Sequence, residues 1–70
     1  MHNVFTRSER TERKYTIGQA VASAERRLNK ARIKGVCMNA VSRRSLSEKI
    51  TLEELNRISD AIYDDSVYYA

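Results

Sequence analysis

Four cations, Arg26, Arg27, Lys30 and Lys34, stand close together in a stretch otherwise rich in alanine. Positions 26, 30 and 34 are successive i,i+4 neighbours, so a helix would stack them in one column, with Arg27 beside it. Cations at that spacing suit phosphate, because the planar guanidinium fork grips oxyanions through two parallel hydrogen bonds. A second group, Arg7, Arg10, Arg13 and Lys14, precedes the column, and the Arg43-Arg44 pair follows it. The chemistry predicted is backbone recognition of nucleic acid, DNA in preference to RNA. The column would track phosphates and the arm would reach across a groove. Asn39, Ser42, Arg43 and Arg44 follow the turn at Gly35 and could begin a short second helix, with Arg to guanine as its direct contact.

Other chemistries lack their residues. The single histidine is His2 and the single cysteine is Cys37, so there is neither a metal-ligand spacing nor a Cys–His pair. Neither glycine sits in a phosphate-cradling loop or a nucleophile elbow. The carboxylate pairs Glu53-Glu54 and Asp64-Asp65 are adjacent and point to different sides of a helix, which prevents a shared proton. The expectation is a non-enzymatic protein with no cofactor, no metal and no small-molecule substrate. Cys37 beside Met38 reads as a small buried hydrophobe.

The elements that must position the cations can be read from their punctuation. Thr16 followed by Gln19 is a capping box, and Gly35 after Lys34 supplies a left-handed stop, which bounds a helix over 17–34. Ile17, Ala20, Val21, Ala24, Leu28 and Ala31 make its apolar stripe. Thr51 with Glu54 is a second capping box, opening a helix over 52–64 whose apolar side is Leu52, Leu55, Ile58, Ile62 and Tyr63. Its other side carries Glu53, Asp60 and Asp64. Ser45 with Glu48 is a third candidate box, but periodicity breaks near Arg44, leaving residues 36–50 as a short irregular helical segment. No internal repeat and no sustained heptad stand out. The fold expected is all-α, a small single-domain bundle of about three helices at 16–70, with a basic and flexible N-terminal arm at 1–15.

Seventy residues bound the rest. One small domain is all they can build, and a core of this size supplies only a few kcal/mol, so docking on a partner or on a second copy would help it. No apolar run approaches the roughly 20 residues of a membrane span, and the start lacks the order of a secretory signal. With a lone cysteine, the setting expected is reducing and cytoplasmic. The formal charge of +4 hides a division: residues 1–49 hold 12 Lys plus Arg against 4 Asp plus Glu, or +8, and residues 50–70 hold 1 against 5, or −4.

That division supports two readings. One is a small nucleic-acid-binding regulator using Arg26, Arg27, Lys30, Lys34, Arg43, Arg44 and the arm cations. The other is an inhibitor or adaptor that docks on a larger nucleic-acid-handling protein complex, presenting Asp60, Asp64, Tyr68 and Tyr69 to a basic surface. A homodimer is compatible with both, the basic half of one copy facing the acidic helix of the other. The compact, arginine-rich, proline-free chain has the composition of a small phage or mobile-element regulator, which assigns no residue a role.

Overall fold

The computed structural model describes residues 11–41 and 44–68. Its order is strand β1 (Tyr15–Thr16), helix α1 (Ile17–Lys30), a 3-10 turn (Asn39–Val41), strand β2 (Lys49–Ile50) and helix α2 (Leu52–Tyr68). The strands pair antiparallel, Tyr15 opposite Ile50 and Thr16 opposite Lys49. This corrects the all-α expectation: among the described residues there are two helices and a small two-stranded sheet, and no three-helix bundle.

The sheet arises from the caps. An N-cap residue must adopt an extended backbone while its side chain bonds the first turn, and Thr16 does so at φ −119° and ψ 159°. Its hydroxyl accepts from the Gln19 N–H at 3.2 Å, and the Gln19 side-chain Oε1 accepts from the Thr16 N–H at 2.7 Å. Thr51 and Glu54 repeat the arrangement at 3.1 and 3.0 Å. Two capped helices that start side by side bring two extended N-terminal segments together, and those segments pair. The remaining donors at the start of α1 are met by the 44–48 turn: Ile17 N–H donates to the Glu48 carbonyl at 3.2 Å and Gly18 N–H to the Leu46 carbonyl at 2.8 Å. Gly18 permits that approach, since a Cβ there would lie 3.3 Å from the Leu46 oxygen.

An internal repeat, not evident in the linear sequence, emerges from this geometry. Lys14-Tyr15-Thr16-Ile17-Gly18-Gln19-Ala20 matches Lys49-Ile50-Thr51-Leu52-Glu53-Glu54-Leu55 in its basic, apolar, threonine, apolar and Gln/Glu positions. The equivalent residues Tyr15 and Ile50 are partners across the sheet, so a local twofold passes through that pair. Each half is a short strand, a threonine cap and a helix.

Both helices leave the sheet in the same general direction, because Arg27, in the second half of α1, reaches Asp60 at the middle of α2 and Tyr63 one turn further on. Between them lies the core: Ile17, Ala20 and Ala24 from α1, Leu55, Ile58 and Ile62 from α2, and Ile50 and Val41 from the connection. Small alanines on α1 let the larger α2 side chains approach. Burying a Leu or Ile stabilises by about 1.5–3 kcal/mol, so few such residues carry the fold. Ser59 and Ser66 are also buried. Ser66 accepts from the Cys37 N–H at 2.7 Å and ties the connection to α2, whereas the Ser59 hydroxyl has no partner among the described residues.

Helix α2 runs on to Tyr68 rather than ending near residue 64, and further expectations change. Helix α1 stops at Lys30 rather than at Lys34. Ala31 caps it, Arg32 takes the left-handed position at φ 61°, and Ile33 N–H donates to the Leu28 carbonyl at 2.9 Å while Arg32 N–H donates to the Asn29 carbonyl at 3.0 Å. That is a Schellman stop, with Arg32 where glycine is usual. Ala31, expected in the apolar stripe, is accordingly exposed. Ser45 to Glu48 is a turn, in which the Ser45 hydroxyl accepts from the Ser47 N–H and Glu48 pairs with Arg44, so the third capping box does not form. The end of the N-terminal arm is tied to the body through β1 and an Arg13–Glu54 ion pair.

Candidate functional site

The helix pair sorts the expected cations into two groups. Arg13 lies 3.0 Å from Glu54, Arg27 lies 2.6 Å from Asp60, and Arg44 lies 3.3 Å from Glu48. Arg27 also sits 4.4 Å from the centre of the Tyr63 ring. Its charge faces an aromatic and an acid of its own chain, worth together about 1 kcal/mol at an exposed site. Lys14 stands 5.6 Å over the Tyr15 ring. Arg13 and Arg27 are thus occupied in holding the two halves together, whereas Arg44 and Lys14 make local contacts.

Arg26, Lys30 and Lys34 are different. All three are exposed, and among the described residues none takes part in an ion pair. Only Arg26 and Lys30 share the helix column, because the chain leaves α1 before Lys34. Arg32, absent from the sequence-derived set, joins them: it is exposed, unpaired among the described residues, and held at positive φ. The glycine at Gly35 draws the expected stop past it. The signal was present in Leu28 and Ile33, whose spacing suits the apolar contact that accompanies a Schellman stop.

The four cations therefore follow one another along the last turns of α1 and the loop after it. The partial negative charge at a helix C-terminus favours Lys30 there by about 0.3–1 kcal/mol. The i,i+4 pair of like charges, Arg26 and Lys30, opposes by a few tenths of a kcal/mol. Lys34 gains nothing from the dipole beyond the helix, and Arg32 occupies a conformation that disfavours any side chain.

Beside this cluster the outer face of α1 and the loop that follows enclose an open groove of about 410 Å³. Leu28, Ile33 and Val36 are its apolar residues, Ala22 and Gly35 its small ones, and Glu25, Arg26 and Asn29 its polar ones. Lys34 lies in the chain between two groove residues, Ile33 and Gly35.

A second exposed surface lies around the Cys37–Ser66 contact, where Met38, Val67 and Tyr68 are exposed and Tyr68 retains 80% of its accessible surface. Cys37 is half-buried there, not fully enclosed as expected. Asp64 is exposed nearby on α2, whereas Asp60 is engaged by Arg27. Arg7, Arg10, Arg43 and Tyr69, together with His2, lie outside the described residues.

The acidity of Glu54 is displaced. It sits below the ordinary carboxylate value of 4.5, first through the hydrogen bond from the Thr51 backbone and then through Arg13, with partial desolvation opposing. Its role is structural, fixing the start of α2. Among the described residues no cluster of three or more His, Cys, Asp or Glu side chains could hold a metal ion, and no helix is long and apolar enough to cross a membrane. Comparison with protein-family models, with curated protein sequences and with solved structures found no match.

Proposed function

We propose that this protein is a small non-enzymatic nucleic-acid-binding regulator whose contact surface is the exit of α1, formed by Arg26, Lys30, Arg32 and Lys34. One observation carries the reading. Arg13, Arg27, Arg44 and Arg57 each have a carboxylate within 4 Å on the same chain, while these four cations, gathered in one place, have none among the described residues. Unneutralised like charge at one end of a small domain is available to an external polyanion. Neutralising about four phosphates releases their counterions and gives a steep dependence of affinity on salt. The test is fluorescence anisotropy of labelled oligonucleotides across a salt series with wild type and Arg26→Gln/Lys30→Gln. Binding that weakens with salt, and a shallower slope in the variant, is the expected result. Absence of binding at low salt would remove the reading.

A protein-docking role is favoured by a separate observation, the exposure of Met38, Val67 and Tyr68 beside Asp64. Apolar and aromatic groups rimmed by acid suit a basic protein surface, such as that of a nucleic-acid-handling complex. A stoichiometric protein partner that survives nuclease treatment and is lost with Val67→Asp would support it.

A further inference from the structure

We infer that the groove beside α1 seats an unpaired nucleobase, so that the cation cluster takes single-stranded nucleic acid in preference to duplex. The inference rests on the nucleic-acid reading above and adds the class of strand.

The argument begins with the stop of α1. A straight column of cations through Lys34 would match the regular phosphate run of a duplex. Instead the chain turns at Arg32: Arg26 lines a groove there, and Lys30, Arg32 and Lys34 are sequence neighbours of its lining residues Asn29 and Ile33. Such a placement grips the phosphates on either side of a group that enters the cavity. The volume, about 410 Å³, is within the range of roughly 300–1,000 Å³ typical of small-ligand clefts.

The lining chemistry selects among anionic ligands. Ile33 and Val36, both half-buried, offer a limited apolar surface for one face of a flat ring, Leu28 beneath them being buried, and Asn29 carries the amide donor and acceptor that can read a base edge. Glu25 opposes phosphate inside the groove and accepts from exocyclic amino groups. A bare phosphate would therefore stay at the rim, and an amino-bearing base would enter. Among the described residues no aromatic side chain lines the cavity, so the contribution expected of the base is modest. In a duplex the bases are stacked and paired, and none can enter without being extruded.

Anisotropy at low salt with three labelled probes of equal length tests this: a mixed-sequence single strand, a single strand made of abasic units, and the corresponding duplex. The mixed strand is expected to bind about tenfold more tightly than the abasic strand and more tightly than the duplex. Ala22→Leu, which fills the groove, should lower the mixed strand to the abasic level and leave abasic binding unchanged. Asn29→Ala, at an exposed position, should cost several-fold for the mixed strand only. Circular dichroism verifies that each variant retains its helices. Equal binding of mixed and abasic strands, or tighter binding of the duplex, overturns the groove inference while the cation reading stands. Failure of all three probes to bind removes both.

Discussion

Replacing Arg32 with glycine separates what the fold wants from what the surface presents. Arg32 holds φ at 61° to complete the stop of α1, a conformation that costs a non-glycine residue about 1–2 kcal/mol. Glycine relieves that cost and loses about 0.4–1 kcal/mol through its greater freedom in the unfolded chain, leaving a net gain of roughly 0.5–1 kcal/mol. Its exposed side chain has no ion pair among the described residues whose loss would offset the gain. For a domain this small, 1 kcal/mol moves the midpoint by about 4–8 °C, so thermal melts followed by circular dichroism should show a rise of a few degrees. The same variant removes one of four cations from the cluster. Its affinity for a labelled oligonucleotide should fall, and the slope of log K against log salt should become shallower by about 0.7–0.9. A lower midpoint would show that the Arg32 side chain stabilises the fold by a contact the geometry does not reveal. A higher midpoint with unchanged binding would remove Arg32 from the site.

Two other perturbations test the packing and the caps. Ser59→Ala, which deletes a buried α2 hydroxyl with no partner among the described residues, should stabilise the protein by about 1 kcal/mol in urea unfolding, and a loss of stability would mean that the hydroxyl is satisfied. Glu54→Gln keeps an acceptor for the Thr51 N–H and removes the charge. Because the folded acidity of Glu54 lies below 4.5, its contribution is present above that value and is lost as pH falls through the lowered value; the two proteins should differ in stability at neutral pH and converge in acid. Parallel stability curves from pH 7 down to pH 2 would contradict that assignment.

The two long helices and their starts were legible in the sequence because a threonine followed three positions later by Gln or Glu satisfies donors that every helix exposes. The sheet was not, since strands of two residues lie below any window in which alternation can be seen. It is a consequence of two helix starts being adjacent, and adjacency is a tertiary property. The stop at Arg32 was hidden by Gly35, a better left-handed residue a few positions later. Gly35 does adopt φ 83°, but in the loop beyond the helix. At the site, the column of cations was visible as a charge pattern, whereas its division into paired and unpaired members depends on which α2 carboxylates face α1. Arg27 and Asp60 are distant in sequence, and only the packing of Ala20 and Ala24 against the α2 side chains brings them within 2.6 Å.

The central claim is that the cations at the exit of α1, and not the net charge of the chain, bind a polyanion. The most direct measurement compares the salt slope of oligonucleotide binding for wild type with that of two charge-matched double variants, Arg26→Gln/Lys30→Gln and Arg13→Gln/Arg44→Gln. A slope near −3 for the wild type, corresponding to about four phosphates on a single strand, should become shallower by roughly 1.4 in the first variant and stay within error in the second. Equal reductions in both variants would show that overall charge governs binding, and would contradict a localised site.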